Sequence, residues 1–293
     1  MKPMLLFPTV SLIFSALSAA PLPADEPAVA KSVFARDNLV AWCIVPFDAK
    51  GRNPQERAEM LARLGLSKLA YDWREQHVPT FEDEILQMKR HNVEFFAFWG
   101  VHPEFTTLIE KHGIRPQVWV MMHAPAEGTH EQKVEEAARR LLPLVEHMGK
   151  LGCKVALYNH GGWAGEPENL AAVAGWLRDN ASADHVGIVY NLHHGHAHVP
   201  RFAELLALMQ PYLFCLNLNG MNDDEKPKIL PVGQGQHDVA LLKIIAESGY
   251  AGPIGIIDHR ADTDAEEALR ANLDGLKNVL KKLGDTAALE TYK

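Results

Sequence analysis

The chain has 293 residues, 47% hydrophobic and 23% charged, proportions that speak against a disordered or fibrous protein. A net charge of −8 with no Lys/Arg cluster speaks against a nucleic-acid partner, which needs a basic face for phosphate. The length suits two small domains or one large one, and α/β barrels routinely fill about 250 residues.

At the start, Met1-Lys2-Pro3 carries one positive charge, Met4 to Ala20 is a nearly unbroken apolar or small-residue run of 17, and a polar Pro-rich spacer follows to Pro27. That order reads as a secretory signal over residues 1–24 and a linker over 25–38, placing the protein in the periplasm or the medium. The apolar run sits at the lower edge of a membrane span, so an uncleaved anchor is the alternative. With cleavage, no stable membrane association is expected. Cys43, Cys153 and Cys215 stand far apart in or beside apolar runs, the pattern of buried free thiols, with one disulfide left open.

From residue 39 onward short apolar runs alternate with amphipathic ones. Strands are predicted at Leu39 to Phe47, Lys68 to Trp73, Val93 to Trp99, Gln117 to Met122, Lys154 to Tyr158, Val186 to Asn191, Leu213 to Leu218 and Pro253 to Asp258, eight in all. Helices are predicted at Pro54 to Leu64, Phe81 to His91, Pro103 to Lys111, His130 to Leu151, Pro167 to Arg178, Arg201 to Met209, Val239 to Glu247 and Ala265 to Leu283. In the fourth, Leu141, Leu142, Val145 and Met148 recur at steps of three and four, the face of a packed helix. Gly65, Gly113, Gly152 and Gly249 fall between helix and strand, where a left-handed cap is wanted. Strict alternation predicts a parallel sheet covered by helices, and eight units predict an α/β protein with a single (β/α)8 TIM barrel over residues 39–293. A doubly wound open sheet ranks second, because no G-x-G-x-x-G follows the first strand.

A barrel puts its working face at the C-terminal ends of the strands. The residues just after the predicted strands include Asp72, Arg74, His77, His102, His123, His160, His193, His194, His196, His198, His237, Asp258 and His259, so ten of the fifteen histidines fall in these connections. Four of them stand in the run Asn191 to His198, directly after the sixth strand. Neutral imidazole can ligate a metal, move protons near neutral pH or hydrogen-bond a polar substrate. A histidine-rich surface loop without a task would not explain the one-sidedness.

The stretch Leu230-Pro231-Val232-Gly233-Gln234-Gly235-Gln236-His237-Asp238, followed by Ser248-Gly249-Tyr250-Ala251-Gly252-Pro253-Ile254-Gly255-Ile256-Ile257-Asp258, resembles the P-x-G-x-G-x-x-D and G-Y-x-G pattern of the xylose-isomerase-like barrel superfamily, the sugar isomerase, epimerase and endonuclease IV group. Val155 to His160 resembles that family's fifth strand and Gly187 to His194 its sixth, and the likeness covers residues 39–283. The resemblance implies a divalent metal held by Glu, Asp, His and Glu at the ends of strands five to eight. Here those positions hold Tyr158, Asn191, Asn217 and Asp258, of which only the last is anionic. Amides and a phenol bind divalent cations far more weakly than carboxylates and imidazole. Two expectations follow. Either one zinc or manganese ion sits at a relocated site made from His160, His194, His196 and Asp258, or the pocket works without metal through histidine acid/base chemistry.

The expected substrate is a small carbohydrate or polyol, and the resemblance implies isomerisation or epimerisation by proton transfer next to a carbonyl. A substrate with a leaving group one carbon further on would give elimination instead. A carbohydrate-binding protein without catalysis is the reading from another class. His160, His194, Asp258 and Arg74 are the expected catalytic residues; Asp72, Trp99, His123, Asn191, Asn217 and Asn219 are the expected substrate contacts.

Overall fold

The computed structural model describes residues 31–293, so the predicted signal and the first part of the predicted linker lie outside the described residues. Eight parallel strands close into a barrel in sequence order: β1 (Leu39–Trp42), β2 (Lys68–Tyr71), β3 (Glu94–Trp99), β4 (Gln117–Val120), β5 (Lys154–Tyr158), β6 (Val186–Asn191), β7 (Leu213–Leu218) and β8 (Ile254–Ile257). Eight helices cover it, α1 (Pro54–Leu64), α2 (Phe81–Arg90), α3 (Pro103–His112), α4 (His130–Lys150), α5 (Pro167–Ala181), α6 (Phe202–Met209), α7 (Asp238–Glu247) and α8 (Ala265–Leu283), and a short α9 (Thr286–Glu290) follows. The predicted class and element order match this architecture. The first strand is shorter than predicted because Cys43 turns into the left-handed region, with φ of 54°, and ends the extended run.

Helix boundaries follow local chemistry. Asn53 caps α1 by accepting from the Glu56 N–H while the Glu56 carboxylate accepts from the Asn53 N–H. Gly65 closes the helix at φ 64°, a conformation a side chain would strain. Part of the predicted linker is structural. Phe34 and Ala35 are fully buried, and the Asn38 amide donates to the carbonyls of Val33 and Gly252, tying the segment to the loop before β8. The Tyr292 hydroxyl donates to the Phe34 carbonyl, so both ends of the described chain meet there.

Inside the barrel sits a small aromatic core around Trp42, with Trp119 4.2 Å away and Trp99 5.1 Å away between ring centroids. The facing strands make room with small residues, Ala70, Ala97 and Ala156 among them. Gly255 belongs with them: a Cβ there would come within 2.6 Å of both the Trp42 ring and the Asn217 side-chain oxygen. The larger core lies between strands and helices, and one charged pair is buried in it. Arg57 of α1 meets Glu84 of α2, with side chains 4% and 0% exposed. Replacing Glu84 with Ala would strand the guanidinium without its partner, so this variant should lose about 3–5 kcal/mol in urea unfolding. A loss below 1 kcal/mol would show that water reaches Arg57.

Candidate active site

The inward positions at the tops of the strands open into a cavity of about 510 Å³ at the barrel mouth. Its floor is aromatic: Trp99 and Trp119 stand edge to face at 4.7 Å, and Trp99 meets Tyr158 at 5.4 Å. Flat apolar surfaces of this kind suit the C–H face of a sugar ring. Around the floor stand Asp72, Arg74, Asn191, His160, His194 and His259.

Asp72 follows β2 and is 4% exposed, and one of its carboxylate oxygens has no hydrogen-bond partner. Burial raises its pKa from the ordinary 3.8 to about 6, against the pull of the nearby Arg74 charge. A carboxylate in that range is ionised at neutral pH yet basic enough to accept a proton from carbon. Cys43 lines the same cavity, and its left-handed backbone is a local strain of the kind that gathers at working sites. Burial and the Asp72 charge push its thiol well above the ordinary value, so it is a neutral neighbour and not a thiolate nucleophile.

His160 and His194 lie 4.5 Å apart between ring centroids, and His193 is 4.5 Å beyond His194. Burial, followed by the neighbouring His160, lowers the His194 pKa to about 3, so its imidazole is neutral at physiological pH. It can donate from one nitrogen and accept at the other. Arg74 is exposed, lies 5.5 Å over the Phe47 ring and donates to the Trp73 carbonyl.

Of the residues predicted from sequence, His160, His194, Arg74, Asp72, Trp99 and Asn191 line the cavity together. Asp258 does not. Strand alternation gives the inward place to Ile257, and Asp258 is fully buried beside it, accepting from the His259 N–H with Arg260 Nε 3.6 Å away. Asn219 is also excluded, because β7 ends at Leu218 and the Asn219 amide donates to the carbonyls of Gly220 and Lys228. It holds the loop after β7. Asn217 is fully buried, does not line the cavity, and donates to the Asn191 oxygen. His123 is exposed and stands outside the lining. His196 belongs to a separate hollow with Asn222, Asp223 and His237. Phe47 and Trp73 were not among the expected site residues, His259 was placed on the working face without a role, and Met121, inside the predicted fourth strand, is 60% exposed at the rim. Their signal was position alone, at or just past a strand end.

The chain belongs to the xylose isomerase-like TIM barrel family, whose model matches residues 71–279. No curated protein sequence matches it. Among solved structures it is similar to a 3-keto-D-glucoside 4-epimerase from E. coli, at 14% identity and TM-score 0.61, covering 84% of this chain and 99% of that one. A zinc-bound IOLI protein shows 16% identity and TM-score 0.63 over 83% and 98% of the two chains. A probable 3-DHS dehydratase from Bacillus anthracis shows 11% identity and TM-score 0.64 over 82% and 98%.

The family's metal does not fit the residues at its usual place. The Asn217 amide donates to the Asn191 oxygen at 2.7 Å, and the Asn191 amide donates to the Tyr158 hydroxyl at 2.8 Å, so three of the four positions are spent on one another. The relocated set fares no better, because His196 and Asp258 lie away from the His160–His194 pair. Among the described residues no three His, Cys, Asp or Glu side chains are grouped to hold an ion.

Proposed function

We propose that the protein is a carbohydrate isomerase or epimerase that moves a proton at a carbon next to a carbonyl. The observation that carries this reading is a buried carboxylate with a free oxygen, Asp72, in one tryptophan-floored cavity with His160 and the neutral imidazole of His194. A sugar lying on Trp99 presents its hydroxyls to the imidazoles and Arg74. Asp72 takes the proton from carbon, the C–H electrons form the enediolate double bond, and the carbonyl electrons move to oxygen. Return of the proton to the other face or the neighbouring carbon gives the epimer or isomer. His194 serves as neutral hydrogen-bond donor or proton carrier between oxygens. Asp258, one of the catalytic residues expected from sequence, is a buried neighbour of the wall and takes no part in the transfer.

Incubation with a panel of aldoses and ketoses in heavy water tests this directly. Deuterium should appear by NMR at the carbon beside the carbonyl, and Asp72→Asn should abolish it. Tight sugar binding without exchange would leave a binding protein. Release of water or a glycosyl group in place of exchange would turn the same base to elimination, the class of reaction named for the dehydratase among the neighbours. The proposal places this activity outside the cytoplasm on the strength of the pattern in residues 1–24. Recovery of full-length protein from the cytoplasmic fraction would overturn that location.

A further inference from the structure

We infer that Tyr158 is a catalytic residue, its hydroxyl donating to the substrate's carbonyl oxygen from the place where the family keeps a metal ligand. The inference rests on the proton-transfer reading above. It follows from the direction of a chain of hydrogen bonds. The backbone N–H of His193 is a donor only, and it points at the Asn191 side-chain oxygen at 3.0 Å. That contact fixes which end of the Asn191 amide is oxygen, so the NH2 end faces the Tyr158 hydroxyl. The Asn217 amide is fixed in the same way by the Leu218 carbonyl, 3.1 Å from its nitrogen, and its NH2 also feeds the Asn191 oxygen.

The Tyr158 oxygen therefore accepts, and its own proton must go elsewhere. No acceptor within the described residues takes it, and Tyr158 lines the cavity between Trp99 and His194. Burial holds the hydroxyl well above the ordinary tyrosine range, so it stays protonated. Each donated bond in the chain polarises the next, and the last donor is aimed where an enediolate oxygen would form. The electron pair moving onto the carbonyl oxygen is met by the Tyr158 O–H while the carbon's proton resides on Asp72. No oxidant or further reactant is needed.

Two variants separate this role from mere packing. Tyr158→Phe removes the donor and keeps the ring. Asn191→Asp keeps the phenol but replaces the amide donor with a carboxylate oxygen, so the hydroxyl turns to donate inward and is lost to the cavity. The probes are four- to six-carbon aldonohydroxamates, which mimic an enediolate, and the matching alditols, which do not, titrated calorimetrically with chelator present. Wild type should prefer a hydroxamate; both variants should lose roughly 10- to 100-fold of that affinity while alditol binding holds, the loss expected for one hydrogen bond to a charged group. Hydroxamate affinity unchanged in Tyr158→Phe overturns the role of Tyr158 and leaves the proton-transfer reading standing. A wild type that fails to prefer hydroxamate over alditol removes the enediolate itself, and the role of Tyr158 with it.

Discussion

Asp72→Asn is expected to lower turnover by about 10²- to 10⁴-fold, the usual contribution of a positioned general base, while making the protein more stable. The two effects share one cause. Asp72 is buried with an oxygen left without a partner, and its pKa in the fold is about 6 against an ordinary 3.8. A carboxyl whose pKa is raised by folding favours the neutral form, so the stability tied to it is full below pH 3.8 and is lost as pH rises through about 6. At pH 7 the ionised group costs up to roughly 3 kcal/mol. Asparagine keeps the shape and drops the charge. In urea unfolding the variant should exceed wild type at pH 7, and the gap should close toward pH 4. The rate should fall as pH drops through about 6 and the base takes up a proton. A variant that loses stability at pH 7 together with its activity would mark Asp72 as a structural anchor and remove it from the mechanism.

Most of the barrel was legible because alternation of buried strand and amphipathic helix is written residue by residue, and a parallel closed sheet is the arrangement that covers every apolar face. The site was legible to the depth of one strand end. His160, His194, Asp72 and Trp99 follow from counting where strands stop, and they meet. Asp258 and Asn219 both lie just past a strand end and failed for different reasons. The eighth strand stops one residue early, at Ile257, and Asp258 follows it on the other wall, whereas β7 ends at Leu218 as predicted and Asn219, just past it, is turned into the loop to donate to the Gly220 and Lys228 carbonyls. His196 failed because its loop folds into short 3-10 turns that carry it to another hollow. The missing carboxylates of the metal site were visible as letters. The chain of amides that takes their place was not, since its direction depends on two backbone groups, the His193 N–H and the Leu218 carbonyl.

The histidines after β6 set the second large effect. His193 is 5% exposed with one ring nitrogen unpartnered, and burial, followed by the neighbouring His194 and His259, lowers its pKa to about 2. His194 is held at about 3. A base whose pKa is depressed by folding contributes stability that is present above its ordinary 6.5 and is lost as pH falls toward the folded value. For His193 the loss between pH 6.5 and pH 4 is on the order of 3 kcal/mol. Asp72 works in the opposite direction over the same range, as does Asp258, whose pKa burial raises to about 7. Wild-type stability should therefore change little between pH 7 and 5 and conceal two large opposed contributions. His193→Leu removes one of them. Its stability relative to wild type should rise steadily as pH is lowered from 6.5 to 4, in denaturant unfolding followed by tryptophan fluorescence; a constant difference across that range would mean that His193 is already open to solvent protons in the fold. The same depression leaves His194 neutral at every pH where the protein works. The pH–rate profile should accordingly carry an inflection near 6 from Asp72 that disappears in no histidine variant, and an inflection that vanished in His194→Gln would reverse the roles of base and carrier.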